Sequence, residues 1–398
     1  MTDEAPAQPE TLFDRIGVRR IVNGVGPATR LGGLPLHPEV VEAMAQATAH
    51  AVRMDDLQRR AGAELARLLD VEAAYVTSGA AAALTLATAV AIAGPDAARM
   101  DELPHVRGGA NRVVVLTAHR DPYDRAVEAA GAELVVVGYP ASTHLDEIER
   151  AIDETTAAIL YRPGRPGNHP TLAAIGALAA RSGIPVIVDG ALYAPPLANL
   201  HRWVEDGAAL VALSGGKQFR GPQASGILCG RTDLVDLVAV QQQDMDEREQ
   251  TWAPGRSGAT PATPPRHGLG RSMKVGREQI AGLLAAVARY VAAPGADDAD
   301  GIRELRLLRD ILTADDTFAV AWHESSALGV PALELALADA GIDVDEFVTA
   351  LAHREMPVYL EESEAWRGAL LVNPMALGAG DARRIADAVR DILHPVAD

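Results

Sequence analysis

Only two of the 36 basic residues in this 398-residue chain are lysines, Lys217 and Lys274; the others are arginines. Arginine stays a guanidinium and cannot serve as an amine nucleophile, so amine chemistry falls to these two positions. Lys217 follows Ser214, Gly215 and Gly216 at the end of an apolar run, a place from which it can point into a site. An isolated lysine at such a position is ordinarily a solvated surface residue, but here surface cations are nearly all arginine. Asp189 directly follows Val186, Ile187 and Val188. A carboxylate drawn that far toward the buried end of a strand is costly unless paired with a cation or hydrogen-bonded. The alternative is an N-cap for the next helix. Ser78, Gly79 and Ala80 lead into an Ala-rich helical stretch. Such a turn offers free N–H groups and a positive dipole end to a phosphate, or simply permits close packing.

An amine for a Schiff base, a carboxylate to keep a pyridine nitrogen protonated and a helix N-terminus for a phosphate are what pyridoxal 5'-phosphate requires. Ser214 can add a hydroxyl to the phosphate. His119, after Leu116, Thr117 and Ala118, can stack on the ring face, or be a partly buried strand-end histidine. Ala191 can supply the small group beneath the opposite face.

The elements that must position these residues are readable from the pattern. Seven short apolar runs, 74–77, 113–116, 134–137, 157–161, 186–188, 210–213 and 226–229, alternate with stretches of helical length such as 145–153 and 172–181. Runs apolar on both faces read as strands covered by helices on both sides. Their alternation with helices implies right-handed crossovers and a mainly parallel sheet. The expected class is α/β, with three parts: an N-terminal arm and helix over 1–54, a large domain over 55–290, and a small α+β domain over 291–398. In the last, strands are expected at 317–322 and 369–372 and helices at 344–353 and 382–393, with 294–301 as a linker. Residues 241–270 are polar and rich in Pro and Gly and read as a long, functional or mobile loop.

Composition removes several classes. The net charge of −18 argues against sequence-independent nucleic-acid binding and against docking on anionic membranes. A single cysteine, Cys229, excludes an intrachain disulfide and a Cys-clustered metal site. The 11 histidines show no H-x-x-x-H or H-x-H spacing, so no metal is expected. Residues 214–218 lack the upstream Gly and following Ser/Thr of a Walker loop, and 24–29 lack the third glycine of a dinucleotide fingerprint. The acidic N-terminus resembles neither a secretory signal nor a transit peptide. The uncharged stretch 73–95 is rich in Ala, Thr and Gly and reads as strand, turn and buried helix. A cytoplasmic protein is expected.

The chain resembles the fold-type-I pyridoxal phosphate enzymes (aspartate aminotransferase-like). Within them it is similar to the group of L-seryl-tRNA(Sec) selenium transferase and D-glucosaminate-6-phosphate ammonia lyase. The segments that carry the resemblance begin with Val22-Asn23-Gly24, Thr29-Arg30-Leu31-Gly32-Gly33 and Val76-Thr77-Ser78-Gly79-Ala80. Ala118-His119-Arg120, Val186-Ile187-Val188-Asp189 and Ser214-Gly215-Gly216-Lys217 with Arg220-Gly221-Pro222-Gln223 follow. Met273-Lys274-Val275-Gly276 and Val372-Asn373-Pro374-Met375 complete them. The resemblance implies Lys217 as the Schiff-base lysine, Asp189 as the pyridinium partner, His119 as the stacking residue, and the Ser78 turn with Ser214 as the phosphate cradle. Lys274 would be an auxiliary or interface residue. It also implies a homodimer or higher homo-oligomer with sites at the interface, which the 241–270 loop would help to cover. The selenium transferases carry an extra N-terminal tRNA domain, whereas here the catalytic arm begins almost at once; with the acidic balance, a small-molecule substrate is expected.

The leading expectation is a lyase performing α,β-elimination, of ammonia-lyase type, on an amino acid or amino sugar acid. Lys217 would act as general base at the α-carbon. Arg30, then Arg220, are the candidates for the substrate carboxylate, because a guanidinium fork matches it bidentately. A racemase, aldolase or β-replacement enzyme shares the early steps, and a non-catalytic pyridoxal-binding protein is the reading from another class. Two features depart from the group's pattern or stand outside it. Tyr193 follows Asp189 where small residues are expected, and either enters the pocket or packs beneath it. The Arg/Pro/Gly segment 162–169 is either an anion-binding loop or, more simply, a solvated one.

Overall fold

The computed structural model describes residues 11–242, 250, 252, 268–314, 319–326, 328–337 and 341–394. Among them the strands are β1 (Val22–Gly24), β2 (Ala73–Thr77), β3 (Arg112–Leu116), β4 (Glu133–Val137), β5 (Thr156–Tyr161) and β6 (Val186–Asp189). They continue with β7 (Leu210–Ser214), β8 (Gly226–Gly230), β9 (Ala319–His323), β10 (Ala332–Ala336), β11 (Val358–Leu360) and β12 (Ala369–Val372). The chain divides into two compact units, one of Pro35–Pro294 and one joining Met1–Leu34 to Gly295–Asp398.

The larger unit is built on a seven-stranded sheet in the order β2-β8-β7-β6-β5-β3-β4. All seven apolar runs are strands of it. β8 pairs antiparallel with both β2 and β7, while β3 to β7 pair in parallel. Six strands therefore point one way and only β8 is reversed. Alternate residues feed separate cores on the two faces: Val114 and Leu116 go to one, Val113 and Val115 to the other. Burial on both sides is why these strands read as continuous apolar runs. The helix Ala80–Ala93 is buried over most of its circumference, which explains why its sequence is uncharged throughout.

The register brings the carboxyl ends of the strands together. Gly226, at the start of β8, pairs with Thr77 at the end of β2 and with Ser214 at the end of β7. The turn after β2 and the loop after β7 thus flank the same point of the sheet. Ligands of open α/β sheets bind at these ends.

The smaller unit contains a three-stranded antiparallel sheet, β12-β10-β9, and a parallel pair, β1-β11. The sequence pattern shows β9 and β12 but not β1, β10 or β11. β10 reads Ala-Leu-Glu-Leu-Ala, of poor strand propensity, yet it is the central strand. Its Glu334 is tolerated because Arg367 donates to both carboxylate oxygens, at 2.7 and 2.8 Å, and His323 lies at 2.7 Å. The expected linker at 294–301 contains the boundary between the units, at Pro294 and Gly295, and then folds as a 3-10 turn, Ala296–Asp298, running into the helix Ala299–Thr313. Gly301 is there for close packing: a Cβ would lie 2.0 Å from the Pro374 carbonyl oxygen.

Among the described residues no helix is long and apolar enough to cross a membrane. The helix Thr232–Gln242 and the 3-10 turn Leu269–Ser272 lie at the two ends of the expected 241–270 loop; residues 243–249, 251 and 253–267 of that loop lie outside the described residues.

Candidate active site

Asp189 closes β6 and is not used as a helix N-cap; the next helix, Leu197–Glu205, starts beyond Pro196. Its carboxylate accepts the Arg162 Nε–H at 3.0 Å on Oδ2 and the Ala191 N–H at 3.3 Å on Oδ1. Arg162 itself is only 3% exposed. The same guanidinium donates from Nη1 to Asp124 Oδ1 and to the His119 carbonyl, both at 2.6 Å. The expectation of a solvated loop after β5 therefore fails at its first residue. Two carboxylates and a carbonyl replace the water that a guanidinium would otherwise keep. Further along, Arg165 is paired with Asp121 at 2.8 Å. Neither arginine stands as an unengaged anion receptor.

His119 is 2% exposed and its ring meets Tyr161 edge-on, centroids 4.7 Å apart. The Arg162 backbone N–H donates to its Nδ1 at 3.3 Å. Because that nitrogen accepts, the neutral ring carries its proton on Nε2. Burial first, then the nearby His169, Arg165 and Arg162, push the His119 pKa down from 6.5 to about 3. The native ring refuses a proton that the unfolded chain takes up, so stability falls as pH drops from about 6.5 toward 3. His119→Phe is expected to remove this part of the acid sensitivity. In urea unfolding the wild type should lose more stability than the variant between pH 7 and 5; equal losses would refute the assignment.

Lys217 follows β7, and the Arg220 N–H caps its carbonyl at 2.8 Å. Burial lowers its amine pKa against the opposing pull of Asp189 and Asp121. Gly215 and Gly216 before it are packed against Ser225 and Gln223 so closely that side chains there would collide. Arg220 is 9% exposed and takes a left-handed backbone, φ 54°. At the neighbouring strand end, Gly79 has φ 139° and precedes the helix Ala80–Ala93, whose first amides receive no side-chain cap. Thr77 Oγ1 donates to the Gly79 carbonyl at 3.0 Å and steadies the turn. Ser78 and Ser214 are both partly exposed at this end of the sheet.

The remaining sequence candidates separate. Tyr193 packs its ring against Gly164, and its own carbonyl accepts from Asn199 Nδ2 at 2.6 Å. It tethers the loop after β6 to the loop after β5. Arg30 belongs to the smaller unit, where it pairs with Glu362 at 3.3 Å and lies over the Tyr359 ring at 5.7 Å. Lys274 is exposed.

A family model described as L-seryl-tRNA selenium transferase matches residues 21–247, more than half of the chain. The chain belongs to that family. Among relatives of the family member, D-glucosaminate-6-phosphate ammonia lyase of Salmonella typhimurium is 28% identical over 97% of this chain and 99% of its own length. A 5'-C-glycyluridine monooxygenase-decarboxylase of Streptomyces sp is 32% identical over 71% of this chain and 66% of its own. A solved structure of D-glucosaminate-6-phosphate ammonia-lyase superposes with a TM-score of 0.81 at 24% identity, covering 98% of this chain and 99% of that one. The fold is thus pyridoxal phosphate fold type I, and this selenium transferase family member is a pyridoxal phosphate-dependent enzyme of the lyase type.

The residues fit the cofactor. A partly buried amine at Lys217, a carboxylate held in place at Asp189 and an uncapped helix start at Gly79–Ala80 lie at neighbouring strand ends and match its three needs. The Ser78–Ala80 turn also has no spare room on its β8 side, where a Cβ on Gly226 would sit 2.5 Å from the Gly79 carbonyl carbon. Gly226→Ala is expected to push the turn outward and weaken cofactor binding by roughly tenfold or more, as overpacking of this size commonly costs. A cofactor titration of the apoprotein measures this directly.

Proposed function

We propose that this chain is a pyridoxal phosphate-dependent lyase of ammonia-lyase type that takes the α-proton and a β-substituent from an amino acid or amino sugar acid, water then hydrolysing the resulting enamine to a keto acid and ammonia. The observation that supports it most is the partly buried Lys217 amine, its pKa lowered by desolvation, just past the end of the strand beside Asp189. Bound pyridoxal phosphate supplies an electron sink for negative charge developing at the substrate α-carbon. Lys217 is the attachment point, and its Nζ, once released, holds and moves the α-proton; the lowered pKa leaves the amine able to accept it. Asp189 would partner the ring nitrogen and keep it protonated. His119, neutral and buried, would stack on one ring face, and Ala191 would supply the small group at the other. The amides of Ser78, Gly79 and Ala80, with Ser214, hold the phosphate. Arg220, three residues past Lys217, and Arg30 are the candidates for the substrate carboxylate. A carboxylate reaching Arg30 would have to displace Glu362. The protein works on a small molecule rather than on nucleic acid or a membrane, as a cytoplasmic homodimer or larger homo-oligomer.

A panel of D- and L-amino acids and amino sugar acids in deuterated water tests the reading. Ammonia and a 2-keto acid carrying deuterium at C3, with exchange at the α-carbon of recovered substrate, are the expected result. Exchange with inverted configuration and no ammonia would make it a racemase, an aldehyde product an aldolase. Cofactor binding with no exchange on any substrate would leave a non-catalytic binder.

A further inference from the structure

The Arg162 guanidinium serves two carboxylates at once. Nε binds Asp189 at 3.0 Å, Nη1 binds Asp124 at 2.6 Å, and Nη2 is buried without a hydrogen-bond partner among the described residues. Asp124, 5% exposed, is held from its other oxygen by Arg120. A guanidinium bound to a carboxylate draws off the charge with which that carboxylate can hold any second cation. We propose that Arg162 is a positioning residue that competes with the cofactor's ring nitrogen for Asp189, and that Asp124 sets how strongly it competes. The inference rests on the reading of Asp189 as the ring-nitrogen partner.

The other charged groups packed around this point do not take over the role. His119 is neutral, Arg165 is offset by Asp121, and Lys217, whose amine interacts with Asp189, is taken up in the cofactor linkage on that reading. Control of the ring nitrogen therefore runs through the chain Arg120, Asp124, Arg162, Asp189. Its two inner links make opposite predictions. Without the Arg162 charge, Asp189 belongs wholly to the ring nitrogen. Without the Asp124 charge, Arg162 belongs wholly to Asp189.

The test reconstitutes wild type, Arg162→Gln and Asp124→Asn with pyridoxal phosphate labelled with 15N in the ring and follows ring-nitrogen protonation by NMR against pH. Arg162→Gln should raise the midpoint by roughly one pH unit and Asp124→Asn should lower it. Arg162→Lys, which keeps the charge but loses the fork, should fall between wild type and Arg162→Gln; it serves if the glutamine variant does not fold. A purely scaffolding arginine would weaken cofactor affinity in both variants and leave the midpoint where it is. Unmoved midpoints, or midpoints that move in the same direction, overturn the proposal. The functional reading fails separately, if borohydride reduction of the wild type places the cofactor on a residue other than Lys217.

Discussion

Lys217→Ala is expected to abolish borohydride-trapped cofactor and to lower turnover by at least about a thousandfold, within the span that a positioned general base contributes. The variant loses both roles proposed for Lys217, attachment of the cofactor and transfer of the α-proton. The phosphate turn and Asp189 sit on other strands, so cofactor is still expected to bind, reversibly and without a reducible linkage. Lys217→Arg should behave like the alanine variant, since a guanidinium keeps the charge but is no amine nucleophile. Lys274→Ala is the matched control: that side chain is exposed, and the adduct should be intact. Peptide mapping of the reduced protein decides the matter. An adduct on Lys274, or one that survives in Lys217→Ala, would show the site to be wrong.

Asp189→Asn is expected to retain part of the cofactor affinity while slowing α-proton exchange by roughly a hundredfold or more, the scale on which placed charges act in excluded-water sites. The amide has nearly the same shape, but it offers the ring nitrogen no negative charge. It also leaves Arg162 with Asp124 as its only carboxylate, so some stability is lost, below the roughly 3–5 kcal/mol seen when a buried charge is left wholly unpaired. Exchange measured at saturating cofactor separates the two effects. A variant that exchanges at the wild-type rate would remove Asp189 from the chemistry.

The large sheet was legible because its strands are buried on both faces and therefore show as unbroken apolar runs between helices. The same criterion missed β10, which carries Glu334 at its centre and needs Arg367 and His323 to neutralise it. It also missed β1 and β11, three residues each, whose pairing joins Val22 to Val358 across most of the chain. At the candidate site, Lys217, Asp189 and the Ser78 turn stood out because their types at strand ends name a chemistry, and the sheet sets those ends close together. Arg162 was not. In a segment of Arg, Pro and Gly an arginine looks solvated, and what buries this one are Asp124 and Asp189, 38 and 27 residues away in the chain.

Residue type and local position determined which groups can react: one amine among 36 basic residues at the end of an apolar run, a carboxylate at another, and a small-residue turn opening a helix. Those are properties of short segments, governed by strand burial and helix polarity. The tertiary structure decided how the groups are tuned. Strand order set β3, β5 and β6 side by side, so that Arg162 could bind Asp189 and Asp124 and meet His119. It also packed His119 deep enough to stay neutral. Charge sharing and desolvation depend on which distant segments are neighbours, and only the assembled sheet specifies that.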